Sequence, residues 1–125
     1  MYIYSFEKLR VWNDSRKLVK WIYEVTESFP SQEKFGLVSQ LRRAAVSVVS
    51  NIAEGISRKS LKDQAHFSQI SYSSLIEILN QLIISNDLEF LKSEKLENGR
   101  SIIESLTTSI SALRNSQLNR FSEKS

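Results

Sequence analysis

Apolar residues recur at steps of three and four through almost the whole chain, and only three glycines and one proline interrupt them across 125 residues. That combination leaves little room for strands, which need frequent turns, and favours a few long helices. The first helix is expected over about 7–28, where Val11, Leu18, Ile22 and Val25 form a stripe with Ser15 in its gap. Trp12, Val19, Tyr23 and Thr26 widen that stripe, while Arg10, Asn13, Lys17, Lys20, Glu24 and Glu27 fall on the opposite side. Phe29-Pro30 should end it, because proline pushes the residue before it out of helical backbone angles.

The second helix, about 36–56, carries the most information. At 100° per residue, Leu37, Val38, Leu41, Ala44, Ala45, Val48, Val49, Ile52 and Ala53 occupy an arc of roughly 160–180°. An arc that wide exceeds what one core on one side requires, so this helix is expected to be central. Ser39, Gln40, Arg43, Ser47, Ser50, Asn51 and Glu54 make a narrower polar stripe, and the alanines, serines and Gly55 permit close backbone approach. Arg42 falls inside the apolar arc and needs a carboxylate or carbonyl partner if buried. Glu77 is the expected intrachain partner, with Glu54 of another subunit as the alternative.

Ser60 is a suitable cap for a third helix over about 61–86, with Asp63 favourable in its first turn. Its stripe reads Leu61, Ala65, Tyr72, Leu75, Ile76, Leu79, Leu82, Ile83, beside a mixed face of Phe67, Ile70, Ser74, Glu77 and Gln81. A turn at Asn86-Asp87 and a cap at Ser93 open a fourth helix over about 94–118, after which the polar end from Asn119 should fray. Four rods of about 30–39 Å joined by short loops make an all-α, antiparallel up-down four-helix bundle, one domain over 1–125.

Composition excludes several classes. There is no cysteine, hence no disulfide framework and no thiolate metal site. The opening Met1-Tyr2-Ile3-Tyr4-Ser5 lacks the pattern of a secretory signal, and no apolar run approaches the roughly 20 residues of a membrane span, so a cytoplasmic location is expected. A di-metal bundle needs paired Glu-x-x-His motifs, but His66 is the one histidine and Asp63 precedes it by three. No phosphate loop or nucleophile elbow is present. The chain reads as a non-enzyme without cofactor. The clusters Ser47, Ser50, Asn51 and Ser71, Ser73, Ser74 lie mid-helix, where backbone N–H groups are already engaged, so they signal close packing rather than anion binding.

Charge is uneven: residues 1–62 hold 11 Lys and Arg against 6 Asp and Glu, while residues 63–125 hold 6 against 8. The candidate RNA contacts are Arg10, Lys17 and Lys20 on the outer side of the first helix, and Arg58, Lys59 and Lys62 after the second. No aromatic-interleaved stacking platform is evident, which argues against base-specific readout.

The segment Phe29-Pro30, Phe35-Gly36-Leu37, Gln40-Leu41-Arg42-Arg43-Ala44-Ala45-Val46-Ser47 and Ser50-Asn51-Ile52-Ala53-Glu54-Gly55 resembles the 23S rRNA-intervening sequence proteins. Phe6-Glu7-Lys8-Leu9-Arg10-Val11-Trp12 and Ser74-Leu75-Ile76-Glu77 fit the same pattern, over about residues 6–90. One departure is Ser73-Ser74, where the family tends to place Gly before Ser. The resemblance implies an up-down bundle assembled as a ring-like homopentamer. A related branch is the accessory variability protein of diversity-generating retroelements, which partners a reverse transcriptase and binds nucleic acid. The expected function is therefore a non-enzymatic homo-oligomer presenting a basic surface to structured RNA or a ribonucleoprotein. The alternative is a protein-binding scaffold or accessory subunit, for example to a polymerase, with no direct nucleic-acid role. Trp21, on the otherwise polar side of the first helix, is expected at a subunit interface. Arg42, Arg43, Asn51, Glu54 and Glu77 are expected to form buried or interfacial ion pairs and hydrogen bonds.

Overall fold

The computed structural model describes residues 1–124, with the side chain of residue 124 outside that description. Four helices follow one another: α1 Arg10–Thr26, α2 Leu37–Ile56, α3 Leu61–Asp87 and α4 Ser93–Lys124. They pack in sequence order, with α2 on α3 and α3 on α4 as the extensive contacts and α1 on α2 and α4 as the lighter ones.

The first helix starts later than its periodicity suggests. A short 3-10 turn, Ser5–Lys8, is separated from α1 by an extended Leu9 at φ −76°, ψ 127°. The break lets Leu9 pack on the core and brings Phe6 edge-on to Trp12, ring centroids 5.0 Å apart. Asn13 Nδ2 donates to the carbonyls of Glu7 and Leu9, at 3.1 and 3.0 Å, and ties the turn to α1. At the other end Thr26, buried, donates its hydroxyl to the Ile22 carbonyl at 2.7 Å, and Phe29 beyond it packs against Phe90.

Short side chains draw α2 and α3 together. Ser71 Oγ donates to the Val48 carbonyl at 2.9 Å, and Ser47 and Ser74 share a hydroxyl hydrogen bond of 3.1 Å. Gly55 lies so close to α3 that a Cβ there would sit 2.7 Å from the Cβ of Phe67. The Ser73 that replaces a family glycine is exposed, outside this seam. Buried positions on α3 accordingly include Ser68, Ser71, Ser74, Gln81 and Ser85 beside Leu75, Ile78 and Leu82. Ile76, assigned to the core by its spacing, is exposed. A helix has one face per neighbour, and the face toward α2 accepts hydroxyls where the periodic stripe anticipated only hydrocarbon.

Ser60 caps α3 by accepting from the Asp63 N–H at 3.2 Å. The α3–α4 turn closes through Asn86, whose Nδ2 donates to the Leu91 carbonyl at 2.9 Å, and through Glu89 in the left-handed region at φ 65°. Rather than fraying from Asn119, α4 continues to Lys124. No proline or glycine stops it there. Just before, buried Gln117 accepts a hydrogen bond from Ser68 at 2.7 Å and holds the helix to α3.

The seam yields a sign test. Alanine normally improves a helix over glycine by roughly 0.5–1 kcal/mol. Gly55→Ala should instead destabilise the bundle, by about 1 kcal/mol or more from overpacking against Phe67. The measurement is the urea midpoint; a rise on substitution would mean that α2 and α3 separate freely at this point.

Candidate nucleic-acid interface and assembly groove

Antiparallel topology gathers cations that are scattered in sequence. The 3-10 turn before α1 packs on α2, so the start of α1 lies beside the end of α2 and the start of α3. Arg10, Arg58, Lys59 and Lys62 therefore share one end of the bundle, all exposed. Arg10 and Lys17 both reach Asp14, at 3.6 and 3.8 Å, with side chains 94% and 82% exposed. Arg58 pairs with Glu54 at 3.6 Å and lies over the Phe67 ring, 4.6 Å from its centroid. Exposed pairs of this kind contribute about 0–1 kcal/mol, so a phosphate competes with them readily.

Lys20 stands apart. Ten residues along α1 from Arg10, it is about 15 Å up the bundle, on the rim of a groove. The far end of the bundle carries Glu24, Glu27, Glu33, Asp87 and Glu89 beside Lys34, Lys92 and Lys95, so both signs of charge are mixed there. The charge difference between the two halves of the sequence does not map onto the two ends, because each half runs the full length of the bundle.

The groove runs between α1 and α2 on their outer side, as two adjoining depressions of about 500 and 530 Å³ that share Tyr23 and Val46. Trp12, Val19, Val49, Val38 and Phe35 supply its apolar surface, and Arg16, Lys20, Lys34, Arg42 and Arg43 its polar rim. Phe35 is 88% exposed. Val46 and Phe35 were not singled out as surface features; neither belongs to the apolar arc of α2, and Phe35 precedes the helix. Arg16 was also missed; it lies over Trp12, 4.8 Å from the ring centroid, a pairing set by helical i, i+4 spacing.

Arg42 does not pair with Glu77 of its own chain. Its Nε donates to Thr26 Oγ1 at 3.1 Å, its Nη2 to the Tyr23 carbonyl at 3.4 Å, and its guanidinium covers the Tyr23 ring at 4.4 Å. Carbonyls in the last turn of a helix lack intrahelical donors and favour a cation, so Arg42 acts as a tether on the end of α1. Exposed Glu77 accepts from Gln81 Nε2 at 3.2 Å, and that same amide donates to Gln40 at 3.1 Å. Asn51 Nδ2 bonds within its own helix, to the Ser47 carbonyl and hydroxyl. Arg43 is exposed and forms no ion pair among the described residues. Trp21 is half-buried and packs against α4, where a Cβ on Gly99 would meet its ring at 2.8 Å.

Among the described residues no helix is long and apolar enough to cross a membrane, and no three His, Cys, Asp or Glu gather as a metal site. The model of the 23S rRNA-intervening sequence proteins matches residues 7–112. The chain belongs to that family. The match runs past residue 90 through most of α4, further than the recognisable motifs do. A crystal structure of a protein of unknown function from the S23 ribosomal protein family, from Bacteroides thetaiotaomicron, superposes with a TM-score of 0.75. The two are 19% identical over 83% of this chain and 97% of the other, a likeness that establishes the shared fold. No curated protein matches the sequence.

The tether and the exposed carboxylate separate in a stability measurement. Arg42→Ala should cost about 1–2 kcal/mol, since it removes a charged hydrogen bond and a ring contact at a half-buried site. Glu77→Ala should stay within roughly 0.5 kcal/mol of the parent. Equal losses in chemical denaturation would restore the Arg42–Glu77 pairing.

Proposed function

We propose that the chain is a non-catalytic homo-oligomer, a homopentamer, that binds structured RNA or a ribonucleoprotein in the cytoplasm through its basic end. The observation that carries this reading is the convergence of Arg10, Arg58, Lys59 and Lys62 on one end of the bundle. Neither the family's description nor the neighbour's is that of an enzyme, and both refer to ribosomal components. Cations on flexible stems, without a stacking platform, suit phosphates rather than base edges, so binding is shape-tolerant and driven by counterion release. Five copies at a formal +3 each carry about fifteen positive charges, and repetition raises avidity by roughly 10²–10⁴ over one weak patch.

The second reading, a protein-binding scaffold or accessory subunit, for example to a polymerase, is favoured by the apolar groove between α1 and α2. Titration of a hairpin-rich RNA at several salt concentrations separates the two. Replacing Arg58, Lys59 and Lys62 together by Glu should weaken binding at least tenfold and reduce the salt slope by about 2–3, one phosphate contact per cation. Equal binding by both proteins, or none by the parent at low salt, would overturn the RNA reading in favour of the second.

A further inference from the structure

Two exposed features of the bundle, on different helices, complement each other. The α1/α2 groove combines an apolar floor with Arg16, Lys20, Lys34, Arg42 and Arg43, and no carboxylate lines it. The second half of α3 presents an exposed ridge with the converse character. Ile76, Ile84 and Leu88 are 45%, 39% and 52% exposed there, and Glu77 and Asp87 are exposed among them, with no cation between 76 and 88. The dimensions agree. From Trp12 to Tyr23 the groove follows α1 for about 17 Å, and the ridge from Ile76 to Leu88 runs about 18 Å.

We propose that the groove of one copy receives the α3 ridge of the next, so that copies join head to tail. The inference rests on the homo-oligomer reading and says which surfaces make it. Groove against groove would press cations on cations, and ridge against ridge would oppose carboxylates; only groove against ridge pairs opposite charge around an apolar strip. Because the two surfaces differ, each copy always retains one unused surface until the assembly closes on itself. A head-to-tail contact of this kind generates rings or filaments and never a two-fold dimer. Burying the strip removes from water the apolar residues that the single bundle leaves outside, Val46 and Phe35 among them.

The test uses two interface variants and light-scattering mass. A groove variant, Val46→Glu with Arg43→Glu, and a ridge variant, Ile76→Lys with Ile84→Lys, should each run at the single-chain mass of 14.4 kDa while the parent runs as a multiple of it. Mixed in equal amounts, they should form a complex of two chains, because one intact groove and one intact ridge remain. If Val46→Glu abolishes cooperative melting, the exposed pair Lys20→Glu and Arg43→Glu replaces it. An oligomeric parent with variants of unchanged mass overturns the groove-to-ridge contact alone. So does a mixture that stays at single-chain mass. A parent that is itself a single chain overturns the homo-oligomer reading and this inference together.

Discussion

The close approach of α2 and α3 governs the rest of the bundle. Where Val48, Ser47 and Gly55 meet Ser71, Ser74 and Phe67, hydroxyls stand in for bulkier side chains and donate to a carbonyl or to one another. Burying such groups costs free energy when they lack partners, and here each hydroxyl has one, so the seam is narrow without leaving these hydroxyls unpaired. With α3 this near, α2 turns Leu41, Ala45, Val48 and Ile52 into the core with Leu18, Ile22, Leu75, Ile78 and Leu82. What remains of its wide apolar arc faces outward beside α1. The groove follows from the seam: a helix drawn tightly to one neighbour cannot cover all its hydrocarbon with the other.

Charge is arranged by the same topology. Running α1 up, α2 down and α3 up places residues 8–10 and 58–62 at one end and the turns after α1 and α3 at the other. The basic end and the groove are therefore distinct surfaces, which allows one to meet phosphate while the other is occupied. Lys20, expected with Arg10 and Lys17 on the outer side of α1, lines the groove. Arg42 is held by Thr26 and Tyr23 and contributes to the groove only as part of its wall.

Helix number, order and approximate extents were legible because hydrophobic periodicity of three and four is a local property, and the Ser60 cap and Phe29-Pro30 boundary are local chemistry. The family was legible from the run between Gln40 and Gly55. The surroundings of single side chains were less so. Periodicity places Ile76 on an apolar stripe without saying which part of that stripe a neighbour reaches, and it places Trp21 among charges without showing that Gly99 opens a slot for it. A carbonyl was one of the two partner types open to Arg42, but spacing did not show that the end of α1 would supply it, with the Thr26 hydroxyl and the Tyr23 ring beside it. At both chain ends the extents shifted for opposite reasons: packing of Phe6 and Leu9 interrupted a helix that propensity would have continued, and α4 ran on where polarity alone suggested an end.

If the α2–α3 seam organises the bundle, it should also be its most stable part, since cooperative units open at free energies set by how completely their contacts are buried. Native-state hydrogen exchange reads this directly. The account predicts that the slowest amides lie between Ala44 and Ile52 in α2 and between Ser71 and Leu82 in α3, exchanging only on global unfolding. Amides at the seam that exchange ahead of those around Leu18 and Ile22 in α1 would contradict it.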